Sequence, residues 1–175
     1  EVKFLDKIKE PTNTSNIELA ICLVKKTPME TILQKATELG VSKIVPIISD
    51  RTEIKELNFE RANKIVIEAT EQSNQMSPPE ISKVIKLKDY IEALESKILF
   101  FADVNSSNKL EPKSFKSGIT NCILIGPEGD FSPSERELIL KKSNVIPFSL
   151  SKNILRTDTA VISAISLVNF INNNH

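Results

Sequence analysis

Two stretches late in the chain carry residue types that could hold a small ligand and act on it. The first is Ile125-Gly126-Pro127-Glu128-Gly129-Asp130-Phe131-Ser132, directly after the apolar run Cys122 to Ile125. Glycine lets a backbone approach a ligand closely and proline stiffens a turn. The same composition also suits a plain strand-to-helix turn. The second is Ser151-Lys152-Asn153-Ile154-Leu155-Arg156-Thr157-Asp158-Thr159-Ala160, an apolar pair among polar and charged groups. Read alone, it suits a helix N-terminus with Asp158 complementing the dipole. Other chemistries are excluded. Glycine occurs only at 40, 118, 126 and 129, so neither G-x-G-x-x-G nor a P-loop can be written. There is no G-x-S-x-G elbow, and a His-based triad would need the terminal His175. No Cys/His cluster has metal-ligand spacing, so no metal is expected.

The elements that must position these stretches alternate between strand and helix patterns. Ile17 to Val24, Lys43 to Ile48, Ile98 to Ala102, Cys122 to Ile125 and Val145 to Leu150 read as strands. Thr27-Pro28-Met29-Glu30 predicts a capping box with proline at the first helical position, opening a helix that stops at Gly40. Asn58 to Asn74 predicts a second helix, ended by Ser77-Pro78-Pro79, and Lys88 to Leu94 a short third. Asn105 to Gly118 reads as a loop. Ser132-Pro133-Ser134-Glu135 is a second capping box, with its helix running to about Lys142. Thr157 to Asn172 is apolar around most of its circumference, which predicts burial on several sides and contact with a second subunit. The alternation predicts an α/β fold, a mostly parallel sheet with helices on both faces. Ligands in such sheets bind beyond the carboxyl ends of the strands, where both stretches lie.

Composition narrows the class. The 175 residues are 40% hydrophobic, enough for one globular core. No apolar run reaches the roughly 18 residues of a membrane span, and no signal peptide is visible, so a cytoplasmic protein is expected. Cys22 and Cys122 sit inside apolar runs and read as buried, reduced thiols. The 23 basic and 23 acidic residues cancel, so any nucleic-acid contact must be local.

The two stretches, about twenty residues apart, are joined upstream by Lys35-Ala36-Thr37-Glu38-Leu39-Gly40-Val41 with Ile44-Val45-Pro46, and by Ile67-Glu68-Ala69-Thr70-Glu71-Gln72-Ser73. Four blocks in this order resemble the family of small-subunit ribosomal RNA uridine-N3 methyltransferases (RsmE), of the SPOUT class, over about residues 17 to 172. The resemblance implies a C-terminal trefoil knot, an exception to the rule that chains do not thread loops. It also implies a homodimer, with Leu167, Val168 or Ile171 near the interface. S-adenosyl-L-methionine is the implied methyl donor, and small-subunit ribosomal RNA in the assembled subunit the implied substrate. Residues 1–16 would be the remnant of an N-terminal PUA-like domain and linker, and 17–175 the methyltransferase domain.

By the same resemblance, Ile125, Gly126, Pro127, Glu128, Gly129, Leu150, Ser151, Asn153, Ile154, Leu155, Thr159 and Ala160 would hold the donor. Arg156 would orient the uracil or stabilise developing negative charge, with Glu128 and Asp158 as candidates for proton removal. Arg51, Gln72 and Arg156 would contact RNA. Gly129→Val is expected to fill space that the donor needs. The chain departs from the family pattern at Asp130, where glycine is usual, at Asn74-Gln75, where Gly-Arg is usual, and at Ser151 and Asn153, where glycine and arginine are frequent. The alternatives are a non-catalytic RNA- or nucleotide-binding module of the same fold and a knotted ribose 2′-O-methyltransferase.

Overall fold

A computed structural model describes residues 16–116 and 118–173. The expectation for residues 1–16 therefore lies outside the described residues, apart from Asn16. The strands are β1 (Ile17–Cys22), β2 (Lys43–Ile48), β3 (Glu80–Ile81), β4 (Ile85–Lys86), β5 (Ile98–Ala102), β6 (Asn121–Ile125) and β7 (Val145–Phe148). The helices are α1 (Lys26–Glu38), α2 (Phe59–Gln72), α3 (Leu87–Glu92), α4 (Pro133–Leu140) and α5 (Thr157–Asn173). The strands form one sheet in the order β3-β2-β1-β6-β5-β7, with β4 also on β2. Every ladder is parallel, as the alternating pattern predicts.

Alternation along the strands splits the core into two layers. Ile17, Leu19 and Ile21 of β1, with Phe100, Ile123 and Ile125, face α1, α2 and α5. Ala20, Cys22, Leu99, Phe101, Cys122 and Leu124 face α3 and α4. Burying each large aliphatic or aromatic side chain stabilises the fold by roughly 1.5–3 kcal/mol. Cys22 and Cys122 are free and buried. Burial pushes both thiols up to about 12, opposed at Cys22 by Ser49 and Thr52 and reinforced at Cys122 by Glu18.

Two strands went unpredicted because each is two residues long. The Ile44 carbonyl accepts from Ser82, while the Ile47 carbonyl accepts from Leu23. Alternate residues of β2 therefore face alternate neighbours, and Pro46 faces the β3–β4 side. Proline has no N–H to donate there, and that is where β3 gives way to β4.

The helix ends hold one failure and two successes. α1 starts at Lys26 with Lys25 as N-cap and no side-chain cap, so the Thr27 capping box does not form. The Met29 N–H instead bonds the Lys25 carbonyl, placing Pro28 inside the first turn, where its missing N–H is equally harmless. The end of α1 is as expected. Gly40 has φ +81°, with Gly40 N–H on Thr37 O and Val41 N–H on Ala36 O, a Schellman closure. The Ser132 capping box forms in full. α2 stops at Gln72, several residues before the prolines, because Asn74 turns left-handed at φ 55°. α5 is buried on one face only. Val161, Ala164, Ile165 and Val168 are buried, while Ile162 and Phe170 are exposed. Val168, expected at a subunit interface, is thus inside the core, and Leu167 and Ile171 are half-buried against it.

A candidate donor cleft at the carboxyl ends of three strands

The carboxyl ends of β5, β6 and β7 open into a cleft of about 270 Å³. That is near the lower end of ligand-pocket volumes. Three segments wall it.

The first follows β6. Pro127 to Asp130 is a tight turn closed by the Asp130 N–H on the Pro127 carbonyl at 2.9 Å. Asp130 takes φ 58°, the left-handed conformation expected where the family has glycine. Its carboxylate accepts from the Phe131 N–H at 2.8 Å, a local bond that offsets part of the conformational cost. Phe131 is buried edge-on against Phe101, ring centroids 5.6 Å apart. A Cβ on Gly126 would lie 3.1 Å from the Phe131 ring, so any larger residue there would press on that ring. A Cβ on Gly129 would lie 3.7 Å from the Arg51 stem, an ordinary contact. The missing side chain of Gly129 faces Arg51, while the residue itself lines the cleft.

The loop after β2 braces this turn from outside. The Arg51 guanidinium donates to the Gly129 carbonyl at 2.8 Å. The Asp50 N–H donates to Glu135 at 2.8 Å, and the Ser132 hydroxyl donates to the Asp50 carboxylate at 2.7 Å.

The second segment follows β7. The Ser149 N–H bonds the Asn108 carbonyl at 2.8 Å, and the Asn153 N–H bonds the Ser151 hydroxyl at 3.0 Å. Leu150 and Leu155 are half-buried in the cleft wall, and Ile154 stands 92% exposed at its rim.

The third segment, Ala102 to Val104 after β5, was missed by sequence reasoning. Its signal was available, since Asp103 follows an apolar strand at the carboxyl end. Asp103 is buried and held by Arg136 through bonds of 2.7 and 3.2 Å. Ser149, Asp130 and Thr157 also line the cleft without having been anticipated as donor contacts.

Of the residues expected to hold the donor, Ile125, Gly126, Pro127, Glu128, Gly129, Leu150, Ser151, Asn153, Ile154, Leu155 and Ala160 line the cleft. Thr159 is exposed on α5 and does not. Arg156 and Asp158 do not line the cleft but lie next to Leu155 and Thr157, which do; they form a loose pair, 3.9 Å apart, with the Arg156 side chain largely in solvent. Asp158 also accepts from the Thr159 N–H at 2.9 Å. Arg51 reaches the cleft rim from the β2 side. Gln72 stays away: it ends α2, towards the amino ends of the strands, and lines a separate groove between α1 and α2. Beyond it, Gln75 donates to the Thr37 carbonyl, tying the end of α2 to that of α1. Among the described residues no group of acidic, histidine or cysteine side chains is placed to hold a metal ion.

The fit of the cleft to a sulfonium nucleoside can be judged from its walls. Ala102, Ile125, Leu150 and Leu155 offer apolar surface for a flat base, and the turn from Gly126 to Gly129 brings backbone to the same wall. These suit an adenosine with an amino-acid tail.

Residues 10–169 match the family model for the RNA methyltransferase domain. The chain is 34% identical to the ribosomal RNA small subunit methyltransferase E of Rickettsia conorii, over 97% of this chain and 70% of that one. Its fold matches a probable rRNA-methyltransferase from Porphyromonas gingivalis with a TM-score of 0.82 and 32% identity, covering 97% of this chain and 72% of that one. It also matches a ribosomal RNA small subunit methyltransferase E from Neisseria gonorrhoeae bound to S-adenosyl methionine, with a TM-score of 0.79 and 28% identity, over 90% of this chain and 66% of that one. The chain thus spans about two thirds of the length of these relatives, and with its loops and their order in the sheet it belongs to the RNA methyltransferase domain family, among the ribosomal RNA small subunit methyltransferases E.

Proposed function

We propose that the chain transfers the methyl group of S-adenosyl-L-methionine to N3 of a uridine in 16S ribosomal RNA of the small subunit. The observation that carries this reading is the single cleft in which both motif loops meet at the carboxyl ends of β6 and β7. A donor held by the walls from Ile125 to Gly129 and from Leu150 to Leu155 would supply an activated methyl group on a sulfonium, a good leaving group that would keep the electron pair of the carbon–sulfur bond.

The protein's residues then have two tasks. The first is in-line positioning, served by a cleft wall braced through Arg51, Asp50 and Ser132. The second is the N3 proton, which must leave before that nitrogen becomes a good nucleophile. Glu128 on the cleft wall and Asp158 next to Thr157 are the candidate bases. Arg156, beside Asp158, is the candidate for stabilising the uracil anion. N3 lies on the Watson–Crick edge, so the uridine must be unpaired when it enters. Arg51 at the rim is a candidate RNA contact on the same side. Gln72 would reach RNA only from a different face, or in a second subunit's site.

The remaining parts of the reading have their own support. A C-terminal knot is supported by contact between the segment after β5 and the end of β7, with Asn108 bonded to Ser149 and the Ser106 hydroxyl 3.4 Å from the Pro147 carbonyl. For a homodimer, α5 leaves Ile162 and Phe170 exposed on its outer face. Light scattering of the full chain at micromolar concentration would exclude the dimer if the mass were that of one chain. The substrate would be ribosomal RNA in the assembled small subunit, met in the cytoplasm. Among the described residues no helix is long and apolar enough to cross a membrane.

The test is titration of the chain with S-adenosylhomocysteine, followed by mass spectrometry of small-subunit RNA after incubation with donor. One site per chain and a 3-methyluridine that disappears with Arg156→Ala are expected. Binding without methylation of any RNA would make the chain a non-catalytic module, and methyl on a ribose would make it a 2′-O enzyme. No binding would end the reading.

A further inference from the structure

A second groove, of about 550 Å³, opens beside the donor cleft on the same edge of the sheet. It lies between the end of β2, the start of α3 and the start of α4. Ile48, Ser49 and Asp50 form one side, Ser134, Glu135 and Leu138 another, and Lys55, Lys86 and Lys88 project around it. The turn from Gly126 to Glu135 is a shared wall, its first half lining the cleft and its last residues lining the groove. Arg51 stands on this wall at Gly129.

We infer that this groove carries the sugar–phosphate backbone of the RNA strand that delivers its base to the donor cleft. The inference rests on the methyltransferase reading and names a surface that reading does not supply.

The charge distribution supports it. Acidic and basic residues cancel over the whole chain, so phosphate binding requires locally unopposed cations. Several basic side chains are closely opposed. Lys35, Lys43, Lys97, Lys113, Lys141, Arg61 and Arg136 each have a carboxylate oxygen within about 3 Å. Lys55 and Lys86, like Lys26, Lys83, Lys109, Lys116, Lys142 and Lys152, have no carboxylate within ion-pairing distance among the described residues; what sets them apart is that they line one groove together. Lys88 has only a loose contact with Glu92, at 3.9 Å. All three lysines are exposed. The two carboxylates at the groove keep their charge but are turned onto neutral donors, and the three lysines outnumber them. Asp50 accepts from Ser132, and Glu135 accepts from the Asp50 and Ser132 N–H groups. The Ser134 hydroxyl adds a neutral partner 3.0 Å from that of Ser132. Three cations, with Arg51 as a fourth at the cleft rim, then form a path ending where the methyl group is delivered. An exposed groove of lysines without stacked aromatics suits a phosphate backbone and reads no sequence.

The experiment is fluorescence anisotropy of the full chain with a labelled single-stranded RNA of about twelve nucleotides, across a salt series. The groove variant is Lys55→Gln/Lys86→Gln/Lys88→Gln, and the control is Lys64→Gln/Lys109→Gln/Lys141→Gln, which removes the same charge elsewhere. For single strands the slope of log K against log salt is about −0.7 per phosphate contact. The groove variant should therefore bind at least tenfold more weakly at low salt, with a slope shallower by about 2. The control should stay within about threefold, with its slope unchanged. S-adenosylhomocysteine titration of both variants should match the parent, which separates loss of this groove from failure of the methyltransferase reading. Equal losses in the two variants would mean that overall charge, not the groove, governs binding. That result, no loss in the groove variant, or no RNA binding by the parent at low salt would each overturn the inference.

Discussion

Replacing Gly126 by alanine adds one methyl group where the structure leaves too little room. The new Cβ would stand 3.1 and 3.3 Å from two carbons of the Phe131 ring and 3.5 Å from the Asp130 carboxylate. Comfortable carbon–carbon contact lies at about 3.5–4.0 Å, so the neighbours must retreat by a few tenths of an ångström. The ring cannot retreat freely, because it is buried against Phe101. Overpacking of this kind costs typically about 1–3 kcal/mol. Against it stands the gain of about 0.4–1 kcal/mol from a less flexible unfolded chain. The expected net loss is about 1 kcal/mol, or a fall in Tm of roughly 2–4 °C for a domain of this size. Relief of the clash would move the turn that walls the cleft, so S-adenosylhomocysteine should bind roughly tenfold more weakly, about 1.4 kcal/mol. Gly129→Ala is the matched comparison. Its Cβ meets the Arg51 stem at 3.7 Å, so stability should hold or rise slightly and donor binding should persist. Thermal unfolding and isothermal titration read both effects. If Gly126→Ala behaved as the parent, or Gly129→Ala lost as much affinity, the assignment of close packing to Gly126 would be refuted.

Two further outcomes concern the layer beneath the cleft. Burial raises the Cys22 and Cys122 thiols from an ordinary 9.0 to about 12, and burial raises the Tyr90 hydroxyl well above its usual value. The folded state then keeps protons that the unfolded chain releases. Stability should be full below about pH 9 and fall as pH rises towards 12, by up to about 1.4 kcal/mol per pH unit for each thiol. Urea unfolding at pH 8, 9, 10 and 11 checks this, and a flat profile would contradict it. Arg136→Leu removes the partner of the Asp103 carboxylate, whose side chain is 1% exposed. An uncompensated buried charge costs about 3–5 kcal/mol, so the unfolding midpoint should drop sharply, and a loss under about 1 kcal/mol would show that water reaches Asp103.

Much of this protein could be read from the order of its residues alone, wherever the determinant is local. Short, continuous apolar runs produced the strands Lys43 to Ile48 and Ile98 to Ala102 with the observed bounds. The capping box at Ser132 and the left-handed stop at Gly40 depend on a few neighbouring residues and formed as written. The same local logic failed at Thr27, where the chain leaving β1 enters the helix earlier and makes Lys25 the cap. Tertiary structure decided the rest, because burial and contact join residues far apart in the chain. Only the sheet order brought Asp103 to the cleft formed by Gly126 and Leu150, and only packing on Phe131 showed which glycine is closely packed. Gln72 left the site and Arg51 joined it for the same reason. A motif names residue types, whereas their meeting depends on which strand ends share an edge.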